Sequence, residues 1–194
     1  MELLEELCDT ENGNSIVPIC LDITDVESIS NFKKIIGNNK IDILVNSAGG
    51  NRTSPKGSAL KYSSIDLHEC MDLNTYGTFN VIQAVVPNME KEDNPLIITL
   101  SSIAGQTITS GVLFPYHMAK NAESNLLKYL SRDLHPIRVT DLIISTVNSF
   151  EHEEMKDESM TPNDVFNVVK FLCESPQYLA INQIDLRHIG KGER

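Results

Sequence analysis

Short apolar runs of strand length alternate with longer segments of helical period along most of the chain. This alternation constrains the fold more than any other feature. The strand candidates are Ile16–Leu21, Ile41–Val45, Leu96–Leu100, Ile137–Ile144 and Ala180–Leu186. Between the first two, Asp25–Ile36 carries Ile29, Phe32, Ile35 and Ile36 at helical spacing, and Gly37-Asn38-Asn39 ends it. A long helical segment is predicted from Ser64 to about Met89, with Asn94-Pro95 breaking the chain before the next strand. Pro115–Leu134 is another helix, closed at His135-Pro136. The last opens at Thr161-Pro162-Asn163-Asp164, where a proline in the first turn removes no helical hydrogen bond. Residues 2–9 have the pattern of a helix end and Thr10–Ser15 that of a polar turn, while Glu151–Glu158 is predicted to be a solvated acidic loop.

Strands separated by helix-length crossovers pair in parallel, because the connection must carry the chain back to the same end of the sheet. The prediction is an α/β, Rossmann-like parallel sheet with helices on both faces, in a single domain spanning residues 1–194. Composition narrows what such a domain does. A net charge of −11 argues against nucleic acid and anionic membranes as partners. The acidic N-terminus, Met1-Glu-Leu-Leu-Glu-Glu-Leu7, lacks the basic flank of a signal peptide, and no apolar run reaches membrane-spanning length. Cys8, Cys20, Cys70 and Cys173 form no C-x-x-C pair, so a reduced, cytoplasmic protein is expected, without zinc or disulfides. The five histidines show no metal-ligand spacing, and no metal site is predicted.

The chemistry-bearing signal is Tyr116-His-Met-Ala-Lys120, preceded by Ser101-Ser102 at a strand end. At i and i+4 on a helix, Tyr116 and Lys120 share a face. An ammonium beside a phenol favours the phenolate and suits the phenol to exchange protons near neutral pH. Asn46-Ser47-Ala48-Gly49 follows a buried strand, where small residues admit a ligand to the carboxyl end of a parallel sheet. Asp22-Ile23-Thr24-Asp25 follows the preceding strand at the same end. Asn74 interrupts an apolar helical pattern, a poor position for a side chain that competes for backbone hydrogen bonds. Taken singly, Asp22 suits a turn or cap, and Asn74 suits an exposed helix position or a relay about equally. His117 is expected on a different face from Tyr116 and Lys120.

In this order, these residues resemble the short-chain dehydrogenase/reductase family over nearly the whole chain. The resemblance implies an NAD(P)-dependent oxidoreductase of carbonyl reductase or alcohol dehydrogenase type. NAD or NADP would be the cofactor, the partner a small carbonyl or alcohol substrate, and the assembly a homodimer or homotetramer packed through helices 64–89 and 115–134. It assigns Tyr116 as acid/base, Lys120 to the nicotinamide ribose and the phenol, Ser102 to the substrate carbonyl, and Asn74 to a relay water. Asp22 and Ile23 would face the adenine. Asn46, Ala48 and Gly49 would line the cofactor cleft, and Val147 would meet the carboxamide.

The chain also departs from the family pattern. The opening strand, the T-G-x-x-x-G-x-G turn that holds the pyrophosphate and the next strand have no counterpart in the sequence. Ser47 replaces the second Asn of N-N-A-G, the interval from Ser102 to Tyr116 is one residue longer than usual, and Ile144-Ser145 stands in place of Pro-Gly. Two other readings therefore stand beside the active reductase: a non-catalytic binding or scaffold protein, and an incomplete gene model of a reductase. Lacking the first two family strands, the sheet is predicted to close its gap by pairing 16–21 directly with 41–45. That gives five strands in the order 16–21, 41–45, 96–100, 137–144, 180–186.

Overall fold

The computed structural model describes residues 16–54, 56–108, 113–148 and 160–188. The expectations for 2–9, 10–15 and 151–158 lie outside the described residues. Among the described residues the sheet has four strands: β1 (Ile43–Asn46), β2 (Leu96–Ser102), β3 (Arg138–Ile144) and β4 (Gln183–Leu186). All pair in parallel, in the order β1-β2-β3-β4. The register sets Val45 beside Ile98, Ile98 beside Thr140 and Leu142 beside Ile184.

The helices are α1 (Val26–Ile36), α2 (Ser64–Met71), α3 (Gly77–Val85), α4 (Phe114–Asp133) and α5 (Pro162–Glu174). Their ends follow from side-chain capping of amides that lack helical partners. The Asp25 carboxylate accepts from the Glu27 and Ser28 amides, and Gly37 closes α1 at φ 52°, donating to Lys33 O. Ser63 with Asp66 and Thr161 with Asp164 form capping boxes at α2 and α5. No helix among the described residues is long and apolar enough to cross a membrane.

Alternation along the strands divides the core in two. Ile97 and Val139 pack with Val81, Ile82, Val85 and Leu127 under α3 and α4. Leu96, Ile98 and Leu142 pack with Val165 and Leu172 under α5. The helical segment predicted from Ser64 to Met89 is interrupted: α2 and α3 are joined by a π-helical turn, Asp72–Tyr76. Asn74 lies in that turn. Its Nδ2 donates to Cys70 O at 2.9 Å, so the side chain supplies the donor there.

The five-strand expectation is overturned, because residues 16–21 form no strand and pair with no part of the sheet. Side-chain anchoring wins over backbone pairing. Leu21 packs at the margin of the core, and Ile23 is buried against Gly77, where an added Cβ would lie 2.6 Å from Ile23 Cδ1. Pro18 has no amide to give a ladder, and Val17 is 69% exposed. Held by its end, the segment does not cross to β1, whose Ile43 and Val45 remain 44% and 43% exposed.

Candidate active site

Parallel pairing brings the carboxyl ends of β1, β2 and β3 to one edge of the sheet, and the first two turns of α4 cross above them. A cleft of about 220 Å³ opens there. Gly49, Ser102, Tyr116, Lys120 and Val147, five of the residues singled out from the sequence, line it together, with Ser47, Ser101 and Ser145 completing its polar wall. Tyr116 is half-buried and Lys120 is buried, so the phenol is the more accessible of the two. Ser102 caps a 3-10 turn, its Oγ accepting from the Ala104 amide at 3.2 Å. That turn passes so close to α4 that a Cβ at Gly105 would lie 2.6 Å from Lys120 O, so a glycine is required there.

Asn74 borders the cleft through the loop after β1. Its Oδ1 accepts from the Gly50 amide and its Nδ2 donates to Gly50 O, both at 2.9 Å. A Cβ at Gly49 would meet Asn74 Oδ1 at 2.9 Å and Lys120 Nζ at 3.0 Å, so the loop lies directly on both side chains. Asn74 thus holds backbone with both ends of its amide. The other assigned residues are placed differently. Asn46 is buried at the end of β1, and Ala48 is exposed and outside the lining. Ile23 is a core residue whose carbonyl accepts from Asn80 Nδ2 at 3.0 Å. Asp22 accepts from the Thr24 amide and hydroxyl, which hold its carboxyl below the usual range. Neither Asp22 nor Ile23 lines the cleft. His117 faces away from Tyr116, buried with Nδ1 2.8 Å from Ala104 O.

Sequence reasoning missed the buried polar layer beneath the cleft. Lys120 Nζ is 2.7 Å from Glu123 Oε2, and Glu123 Oε1 accepts from Thr78 Oγ1 at 2.8 Å. On the facing strands Ser101 Oγ donates to Asp141 Oδ1. Burial pushes the Glu123 carboxyl up, against the opposing pull of Lys120 and Thr78. Burial also pushes Asp141 up, against its bond from Ser101. Two signals were available in the sequence: an acid three residues after Lys120, and an acid inside the apolar run Val139–Ile144.

These two carboxyls set a pH dependence. In the native state each retains a proton to a higher pH than in the unfolded chain, so folding takes up protons as pH falls from neutral. Their contribution is complete at the bottom of the ordinary carboxylate range and is lost as pH rises through the raised native values. Below that range Asp66, held at about 2 by Lys56 and Ser63, and Asp93 and Asp164, also lowered, work in the opposite sense. The thermal midpoint is therefore expected to peak at mildly acidic pH. Scanning calorimetry across the acid-to-neutral range checks this, and Glu123→Gln should flatten the decline toward neutrality.

The residues present suit a nicotinamide riboside. Asn46 Nδ2, Ser145 Oγ and Asn148 Oδ1 are buried at the strand ends without a hydrogen-bond partner, although buried polar atoms are normally paired. Ser145 lines the cleft, so its hydroxyl can meet a polar group of such a ligand.

Comparison with known proteins agrees with this geometry. A family model described as short chain dehydrogenase matches residues 1–159. An uncharacterized oxidoreductase of Staphylococcus aureus is 23% identical over 195 residues, covering 97% of this chain and 83% of the relative. An alcohol dehydrogenase from the archaeon Thermococcus sibiricus, complexed with 5-hydroxy-NADP, superposes with a TM-score of 0.84. It is 19% identical, over 97% of this chain and 80% of that one. The closed form of a serine dehydrogenase complexed with NADP+ superposes with a TM-score of 0.79 at 28% identity, over 95% of this chain and 80% of that one.

Proposed function

Since the chain belongs to the short chain dehydrogenase family of oxidoreductases, we propose that it interconverts a small carbonyl compound and its alcohol with NAD or NADP. The observation that carries this reading is the gathering of Tyr116, Lys120 and Ser102 in one cleft at the carboxyl edge of the sheet. The nicotinamide supplies or accepts the hydride when bound. The protein supplies orientation and the proton. The Ser102 hydroxyl donates to the substrate carbonyl oxygen and holds it beside the Tyr116 phenol. Tyr116 then transfers its proton to that oxygen as negative charge develops there, and takes it back in the oxidative direction. Lys120 steadies the phenolate with its charge and offers its remaining N–H donors to ribose hydroxyls. Val147, which lines the cleft beside Ser145, would meet the carboxamide. Asn46, Ala48 and Gly49 would line the cofactor cleft, and Asn74, whose amide holds the Gly50 backbone, would fix the relay water. Asp22 and Ile23 serve the adenine end. The test is consumption of NADH or NADPH by the purified chain with a panel of small aldehydes and ketones. Failure with both cofactors across the panel would overturn the reading.

Association into a dimer or tetramer belongs to the same reading. Ile65, Tyr76 and Phe79 on the α2–α3 segment and Met118 and Tyr129 on α4 are apolar and exposed on the two helical segments assigned to it. Sedimentation velocity at tens of micromolar should show an oligomer, and a clean monomer removes this part.

A further inference from the structure

The buried layer under the cleft contains one titratable group that touches the acid/base pair yet has no part in the proton transfer above. Glu123 is fully buried, and its two oxygens are spent on two partners. Oε2 takes Lys120 Nζ at 2.7 Å, and Oε1 takes Thr78 Oγ1 at 2.8 Å. The contact is intrahelical on α4, at i and i+3, and α3 locks it through Thr78. An exposed pair of this kind would contribute little. Here both side chains are at most 3% exposed, and neither charge has water to screen it.

We propose that Glu123 is a positioning residue for Lys120, compensating its ammonium charge and fixing which of its N–H donors face the cleft. The proposal rests on reading Tyr116 and Lys120 as the acid/base pair. An ammonium has three donors on a freely turning head. Binding one of them to Glu123 directs the other two toward Gly49 and the cleft. The same contact weakens the field that Lys120 exerts on the phenol. The charged and polar groups around the carboxylate are few. Thr78 comes from α3, Lys120 from α4, and Asp141 with its Ser101 partner from β3 and β2. Asp141 adds repulsion and pushes the Glu123 carboxyl in the same direction as burial does.

Phenolate absorbance tests this without cofactor or turnover. The transition assigned to Tyr116 is the one missing from Tyr116→Phe. In Glu123→Gln it should move to lower pH by about 0.5–1 unit, because Lys120 then acts on the phenol uncompensated. Thr78→Val, which keeps the shape and removes one bond to the carboxylate, should move it the same way by less. The rate–pH profile should shift with it. A transition unmoved in both folded variants overturns the proposal, and if Glu123→Gln fails to fold, Thr78→Val alone decides. A shift without turnover on any carbonyl upholds the proposal and removes the reductase reading. Turnover with an unmoved transition does the reverse.

Discussion

Tyr116→Phe should leave the fold and nicotinamide binding intact while lowering kcat by about 10²- to 10⁴-fold, the range for losing a positioned acid/base. Only one oxygen is removed. The ring is half-buried at the mouth of the cleft, and its packing is retained by phenylalanine. With Ser102 unchanged in its proposed role at the carbonyl oxygen, substrate affinity should change far less than kcat. The oxygen then collects negative charge with no proton to receive, and the whole loss falls on the chemical step. Single-turnover oxidation of NADPH, compared with direct binding of the cofactor by fluorescence, separates the two effects. A kcat within about threefold of the parent would remove Tyr116 from the chemistry, since any positioned proton donor contributes more than that.

The second large effect is on stability. Lys120→Met should cost about 3–5 kcal/mol at neutral pH, the range for breaking a buried pair and leaving one charge uncompensated. Methionine fills much of the lysine stem's volume, so cavity formation is a minor part of the loss. The main part is Glu123, fully buried and left with only the Thr78 hydroxyl. The deficit should shrink as pH falls, because a protonated Glu123 no longer needs a counter-charge. Glu123→Leu placed on top of Lys120→Met should recover most of the stability, since an apolar pair can replace a buried ion pair at little cost. Urea denaturation of the two variants and the parent at neutral and mildly acidic pH reads all three expectations. A Lys120→Met variant as stable as the parent at neutral pH would mean that Glu123 is solvated in solution.

The parallel architecture was legible because long crossovers and short apolar strands leave few other arrangements. The cleft residues Ser102, Tyr116 and Lys120 were legible because two periodicities converge on them: β2 ends at Ser102, and α4 sets Tyr116 and Lys120 one turn apart. The extra residue between Ser102 and Tyr116 did not displace Ser102 from the cleft. The position of 16–21 was not legible. Its apolar residues suit a strand, but a strand needs a partner edge, and the packing of Ile23 onto Gly77 fixes where the segment runs. The π-helical turn at Asn74 was likewise beyond a period-based reading, because one unsuitable residue in an apolar pattern shows a conflict without showing its resolution.

Sequence by itself determined the class of fold, the order of its parallel strands from β1 onward and the cluster of residues at their carboxyl ends. The fold class follows from local periodicity, turn chemistry and the geometry of crossovers, and the strand order and residue cluster from the resemblance to the family. Tertiary structure alone decided that the charges of Lys120 and Glu123 are buried and what closes around them. Lys120 meets Glu123 one helical turn away, and Thr78, 45 residues away along the chain, closes the other side of that carboxylate. Desolvation makes such partners matter, and desolvation exists only once α3, α4 and the sheet have packed together.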